Sequence, residues 1–83
     1  MNNQKAQISS EELLTIANRM IREHEDFIHG MRADAVEQRG EILIFKGEYF
    51  LADDGTPTGK TMAVFNMFKL LAQELSGRYQ LIK

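Results

Sequence analysis

Cysteine is absent from this chain of 83 residues. Its absence excludes disulfide bonds and thiolate metal sites, which support many domains of this size. A chain this short buries only about 60 to 65% of its unfolded surface, so it has little apolar area to spare. The 43% of residues that are hydrophobic therefore form the whole core, or share a core with a second subunit.

Long hydrophobic runs and a strong charge imbalance are also missing. No apolar stretch approaches the roughly 18 residues that a membrane span needs. Residues 1–12 are polar and lack the apolar run of a secretory signal. A net charge of -2 gives no general attraction to phosphate backbones or anionic membranes. These features predict a cytoplasmic protein without membrane association, and they disfavour nucleic acid as a partner.

A near match to a phosphate-binding P-loop lies at residues 55–61, Gly-Thr-Pro-Thr-Gly-Lys-Thr. Three residues separate its first glycine from Gly-Lys-Thr, whereas the P-loop needs four. The proline also removes one of the N–H donors that would face a phosphate. We therefore interpret the segment as a helix start, with Thr56 as N-cap and Pro57 in the first helical position. The residues that would contact an anion at this terminus are Thr58, Gly59 and Lys60.

The pattern before the first strand predicts a polar tail and a helix. Ser9 and Glu12 have the spacing of a capping box, which predicts a helix start at that point. Apolar residues then recur at three- and four-residue steps as far as a helix end near Gly30. We treat residues 1–8 as a polar N-terminal tail and residues 9–83 as a single domain.

The middle of the chain predicts a β-hairpin. Residues 33–38 and 41–46 read as strands around an Arg-Gly pair. Gly47 then marks either a bulge, after which 49–51 continue the second strand, or a second tight turn, after which they form a third. The second helix ends at Gly77, which leaves residues 79–82 for a short C-terminal strand. The sequence therefore predicts an α+β fold of helix, antiparallel hairpin or three-stranded sheet, helix and final strand.

Apolar residues of the predicted second helix cover an arc of about 220 degrees, roughly twice what one buried face requires. Either the domain itself contacts this helix on two sides, or one flank meets a second molecule. The predicted hairpin adds a candidate surface, because apolar residues occupy both faces of its second strand. We predict an interaction surface, for a homodimer or an unidentified protein partner, formed by Met62, Phe65, Met67, Leu70, Ile42 and Ile44.

The titratable residues do not form a recognisable catalytic or metal motif. His24 and His29 are five positions apart, whereas helical zinc motifs need histidines four apart. The position of His24 in the apolar stripe predicts a core histidine with one hydrogen-bond partner, and pH sensing is the alternative. Solvated turns or an edge strand are predicted for the acid-base candidates, which are Glu41, Glu48, Asp53 and Asp54. We predict a non-enzymatic regulatory or interaction module without metal or cofactor.

RNA binding is the alternative function. The order helix, strands, helix loosely resembles double-stranded RNA-binding domains, in which several lysines at a helix start follow the phosphates. Here Lys60 stands alone at that position, and Arg39 and Lys46 are the other cations that could join it.

Most of the chain beyond its polar start resembles the YciN family of small gammaproteobacterial proteins. The resemblance rests on the runs Lys-Gly-Glu-Tyr-Phe-Leu at 46–51, Gly-Thr-Pro-Thr-Gly-Lys-Thr at 55–61, Ala-Val-Phe-Asn-Met-Phe-Lys at 63–69 and Ile-Arg-Glu-His-Glu-Asp at 21–26. It implies a bacterial cytoplasmic setting and one α+β domain. It carries no assigned activity, cofactor or catalytic residue, and it argues against nucleotide hydrolysis.

Overall fold

A computed structural model describes residues 5–82 of the chain. It contains two helices and four short strands, and the strands form two separate two-stranded sheets. This architecture confirms the α+β fold class. In chain order the elements are β1 (Ala6–Ile8), α1 (Ser10–Glu23), β2 (Ala33–Arg39), β3 (Ile42–Gly47), α2 (Gly59–Leu75) and β4 (Tyr79–Leu81).

Helix α1 begins where the capping spacing predicts. The Ser9 side chain accepts a hydrogen bond from the backbone N–H of Glu12 at 3.1 Å, so one N–H group that lacks a helical partner is satisfied. The helix turns one stripe of fully buried side chains toward the core. Each such leucine or isoleucine contributes about 1.5 to 3 kcal/mol through burial. The members of the stripe are Leu13, Ala17 and Ile21.

The end of α1 corrects the sequence prediction. The helix stops at Glu23 rather than near Gly30, because His24 adopts an extended conformation and its backbone N–H bonds to the carbonyl of Ile21. The apolar spacing continues past this point for another reason. Met31 is buried and Ile28 packs against the core from the connecting loop, where no helix is present.

The predicted hairpin is confirmed as strands β2 and β3. Arg39 pairs with Ile42 across a two-residue turn in which Gly40 has a φ of 58 degrees, and hairpin turns of this length place glycine readily at such a position. Leu43 and Phe45 point into the core from β3. The other side of β3 remains the outer face of the hairpin.

Residues 49–51 are not in a strand, so the sheet of β2 and β3 has two strands and no third one in the described chain. β3 ends at Gly47, where a side chain would clash with the backbone carbonyl of Arg32. Phe50 then has a φ of 55 degrees, a left-handed conformation that is incompatible with a regular strand. The chain therefore leaves the hairpin and turns toward α2.

Strands β1 and β4 form a parallel pair that the sequence did not predict. Ala6 pairs with Tyr79 and Ile8 with Leu81, and Ile8 is buried in the core. The side chain of Gln38 links this pair to the hairpin, because its Oε1 accepts a hydrogen bond from the Leu81 N–H at 3.0 Å. Residues 1–8 were expected to be a tail, whereas the structure places 6–8 in a sheet; residues 1–4 lie outside its described part.

Helix α2 supplies the largest share of the core. It ends at Leu75, with Ser76 as C-cap and Gly77 following, close to the predicted stop. The Ser76 hydroxyl accepts a hydrogen bond from the Leu43 N–H at 2.9 Å and so ties the helix end to β3. Within residues 5–82, no helix has the length and apolar character needed to cross a membrane. The buried residues of α2 are Thr61, Val64, Met67, Phe68, Leu71 and Leu75.

Candidate functional site

The start of α2 lies two residues later than the sequence predicts. Thr58 is the N-cap, and its hydroxyl accepts from the Thr61 N–H while the Thr61 hydroxyl accepts from the Thr58 N–H. Thr56 instead donates its N–H and hydroxyl to the Asp54 carboxylate in the preceding turn. Pro57 therefore precedes the cap. The prediction of Thr56 as cap is wrong because Thr58 also has a tertiary partner.

That partner is Phe50, the non-glycine residue with a positive φ in the described chain. Its carbonyl accepts hydrogen bonds from the hydroxyls of Thr58 at 2.8 Å and Thr61 at 3.1 Å. Its N–H donates to the carboxylate of Glu48 at 3.0 Å. A left-handed backbone costs a non-glycine residue about 1 to 2 kcal/mol. The three hydrogen bonds hold Phe50 in this conformation and fix the loop to the helix start.

The predicted anion contact includes Thr58, Gly59 and Lys60. Lys60 places its ammonium nitrogen 5.5 Å from the centroid of the Phe50 ring, a cation-π arrangement. Thr58 uses its hydroxyl for the cap and for the Phe50 carbonyl. Both polar side chains thus have partners within the domain. Anion binding at this terminus stays a prediction.

Helix α2 separates the residues that the sequence grouped into one interaction surface. At about 100 degrees per residue, Ala63 and Phe65 lie roughly 200 degrees apart around the helix. Phe65 and Met62 fall on one flank and are exposed, whereas Leu70 is half-buried on the flank of Ala63 and Met67 is buried between that flank and the core. The wide apolar arc therefore produces two distinct surfaces on either side of the buried face.

The first surface, the Phe65 patch, consists of Met62, Phe65 and the ring of Tyr49. Met62 is 52% exposed and Phe65 is 44% exposed. The ring centroids of Tyr49 and Phe65 are 5.3 Å apart, within the range of favourable aromatic contacts. Tyr49 also packs edge-on against Phe68 of the core, so the patch has a rigid base. Sequence reasoning found both helical members and missed Tyr49, which it assigned to a strand.

The second surface, the helix cleft, lies between the end of α1 and α2. Its larger part has a volume of about 500 Å³. A smaller part of about 250 Å³ continues along α1 and shares His24, Met67 and Leu70 with the larger one. Together, the residues that line the cleft are Met20, Glu23, His24, Asp26, Ile28, Ala63, Asn66, Met67, Leu70 and Leu71.

His24 lies at the rim of this cleft rather than in the core. Its side chain is 31% exposed, and its Nδ1 accepts a hydrogen bond from the Asp26 N–H at 3.0 Å. This contact places the proton of a neutral imidazole on Nε2, where it can donate to a bound molecule. The prediction of a core histidine is wrong because α1 ends at Glu23, so His24 no longer lies on the buried stripe of the helix. The expected single hydrogen-bond partner is present.

Ile42 and Ile44 belong to a third surface, the outer face of the hairpin. Ile42 is 56% exposed and Ile44 is half-buried. Beside them the Glu37 carboxylate contacts Lys46 at 2.7 Å and Arg39 at 3.2 Å. The hydrogen bond and charge of Lys46, followed by the charge of Arg39, lower the pKa of Glu37 below its ordinary value of 4.5. Arg39 and Lys46, the two cations that the RNA hypothesis adds to Lys60, are thus paired with one carboxylate.

The acid-base candidates are solvent-exposed, as expected. Glu41, Glu48, Asp53 and Asp54 are all exposed, and the hydrogen bond from the Thr56 side chain lowers the pKa of Asp54. A catalytic carboxylate normally needs partial burial or a charged partner that tunes it toward neutral pH. Across residues 5–82, no cluster of three or more histidine or acidic side chains could hold a metal ion.

Comparisons with known proteins identify relatives over nearly the full length. A family model described as "Protein of unknown function (DUF2498)" matches residues 4–82. Protein YciN of Escherichia coli strain K12 is 51% identical over 82 residues, which cover 99% of each chain. Protein YciN of two further Escherichia coli strains, CFT073 and O157:H7, matches with the same identity and coverage. The resemblance to YciN is confirmed, and the chain belongs to the DUF2498 family of proteins of unknown function.

Proposed function

We propose that this protein is a non-enzymatic interaction module of the bacterial cytoplasm that binds a protein partner through the Phe65 patch. The observation that carries the proposal is the exposure of Met62 and Phe65 on a helix whose opposite side is buried. Aromatic and methionine side chains are enriched at the centres of protein interfaces, where they provide large contact areas. Solvent-exposed carboxylates support the view that the module acts without catalysis.

The packing beneath the Phe65 patch supports a role in partner binding. Tyr49 joins the Phe65 ring to the core through Phe68, so the aromatic group is held in place before any partner arrives. A side chain that is already ordered loses less conformational entropy on binding. A second copy of the chain and an unrelated protein are both compatible with such a surface.

Site-specific photo-crosslinking tests the proposal. A benzophenone amino acid is introduced at position 65 or 62, and the matched control carries it at Arg19, an exposed position of α1. The variants are irradiated in cells of the producing organism. We expect discrete protein adducts from positions 65 and 62 and none from position 19. Equal adducts at all three positions, or none at 65, would contradict the proposal.

Sedimentation velocity then distinguishes the two kinds of partner. If the partner is a second copy, the wild-type protein will dimerise at high micromolar concentration and Phe65→Ser will remain monomeric. If the partner is another protein, both will be monomers while the adducts at position 65 persist. Cell fractionation tests the cytoplasmic location independently.

A further inference from the structure

The helix cleft has the composition of a binding groove. Its floor is apolar and is formed by Ile28, Ala63, Met67 and Leu70. Polar side chains are confined to the rim, where His24 and Asn66 can each hydrogen-bond to a bound molecule. Ligand sites are typically clefts of about 300 to 1,000 Å³ with such an apolar lining and few polar groups. The larger part, at about 500 Å³, lies within this range.

The charges at the rim have one sign. Asp26 borders the larger part of the cleft and Glu23 the smaller part, and no lysine or arginine lines either part among residues 5–82. Asp26 is well exposed, at 79% of its side-chain surface, so its charge is available to an incoming group. Complementary charges at the edge of an apolar site steer association and select the partner. The cleft therefore favours an occupant that combines apolar and cationic groups.

The shape of the cleft favours a chain over a compact molecule. The two parts share three lining residues and extend from the loop after α1 along the side of that helix. The amide of Asn66 offers both a donor and an acceptor, which matches the N–H and C=O groups of a peptide backbone. A peptide can place an apolar side chain on the floor while its basic side chains reach the two carboxylates.

From this combination we propose that the helix cleft binds a peptide segment of a partner protein that carries an apolar anchor residue flanked by lysine or arginine. The anchor contacts Met67 and Leu70, and the basic residues pair with Glu23 and Asp26. The Nε2–H of His24 donates to a peptide carbonyl at the rim. This site is separate from the Phe65 patch, so it goes beyond the proposed function and stands or falls independently.

Selection from a phage-displayed library of random peptides of about 12 residues tests the proposal without knowledge of the partner. The full chain is the target, and the best peptide is synthesised with a fluorescein label. We expect the selected peptides to share one large apolar residue with lysine or arginine nearby. In an amide NMR titration of the protein, the largest shifts should lie at His24, Asn66, Met67 and Leu70. Selection of acidic or uncharged peptides, of no peptide, or shifts centred on Phe65 would overturn the proposal.

Charge reversal provides the quantitative measurement. Fluorescence anisotropy with the labelled peptide is compared for wild type, Asp26→Lys and the matched control Asp53→Lys, which changes an exposed acid in the turn before α2. Because exposed ion pairs are individually weak, we expect Asp26→Lys to lower the affinity about fivefold and the control to change it by less than about twofold. The loss should shrink at high salt. An equal effect of both variants would overturn the pairing.

Discussion

Helices α1 and α2 pack against different strands of the hairpin, α1 against β2 and α2 against β3, and they distribute apolar residues differently. α1 confines its fully buried side chains to one stripe that includes Leu13, and charged residues occupy its opposite side. α2 buries a similar stripe and adds apolar residues on both flanks, represented by Phe65 and Leu70. Burial in the core accounts for the apolar stripe of α1. It does not account for the two flanks of α2, where the candidate surfaces lie.

The core stripes of the two helices should be equally important for stability, and this comparison gives the largest expected effects. Leu13 of α1 and Leu71 of α2 are both 0% exposed. Truncation of a fully buried leucine to alanine costs about 2 to 5 kcal/mol, because transfer energy is lost and a cavity remains. We expect Leu13→Ala and Leu71→Ala each to lower the free energy of unfolding by about 3 kcal/mol in urea denaturation. A much smaller cost for Leu13→Ala would show that α1 is less essential than its burial indicates.

Removal of the two helix caps should lower stability by less than truncation of the core leucines, and by different amounts in α1 and α2. Ser9→Ala removes a local cap and should cost about 1 kcal/mol. Thr58→Ala should cost about 2 kcal/mol, because it removes the cap and one of the hydrogen bonds that hold the Phe50 carbonyl. Thr56→Ala serves as the control and should cost about 0.5 kcal/mol or less, since its partner Asp54 is exposed. Thermal and urea denaturation measure all three variants, and an effect of Thr56→Ala equal to that of Thr58→Ala would contradict the assigned cap.

Substitutions at outward-facing positions of α1 and α2 should differ strongly in their effect on partner binding and only slightly in their effect on stability. Phe65→Ser loses an aromatic contact with Tyr49 and should lower the free energy of unfolding by about 1 kcal/mol. Arg19→Ser on the exposed side of α1 should change it by less than about 0.5 kcal/mol. Denaturation of the isolated proteins measures both values. A loss of several kcal/mol in Phe65→Ser would mean that Phe65 is part of the core, and the case for the patch would fail.

The pH dependence of stability at the hairpin gives the smallest expected effect. It depends on Glu37 and involves neither helix cap. Ion pairing lowers the pKa of Glu37 from 4.5, so its contribution to stability is present above that pH and is lost as pH falls through the lowered value. Wild type should therefore lose stability below about pH 4.5 more steeply than Glu37→Gln. Urea denaturation from pH 7 to pH 3 measures the difference, with Asp53→Asn as control. Parallel curves for wild type and Glu37→Gln would show that the pairing contributes nothing.

The sequence predicted the features that depend on neighbouring residues. The Ser9 cap, the hairpin around Gly40 and the helix stop before Gly77 all follow from local turn and capping chemistry. The end of α1 could not be predicted from the sequence, because Ile28 packs against the core from a loop and continues the helical spacing of apolar residues. The sequence predicted Thr56 as the cap of α2, because local spacing does not reveal the hydrogen bonds that the hydroxyls of Thr58 and Thr61 donate to the Phe50 carbonyl.

The sequence prediction placed the outward apolar residues on one interaction surface, whereas the structure places them on separate surfaces. The sequence identified Phe65 and Leu70 as surplus apolar residues, and it could not assign them to opposite flanks without knowing what each flank faces. The cleft depends on the loop after α1, whose course was unknown while His24 was placed within the helix. Strand β1 was not predicted, because it is stabilised by pairing with β4, which lies at the other end of the described chain.

The pairing of β1 with β4 has a consequence for the order of folding. Closing a loop over nearly the whole chain costs more entropy than forming the hairpin or either helix, so this contact should form after them. Ile8 would then be the last side chain to enter the core. The same pair should open first in the native state, as a local unfolding unit separate from the rest. The amide hydrogens of Ala6 and Ile82, which bridge the two strands through Arg78 and Ile8, should therefore exchange with solvent faster than that of Leu71.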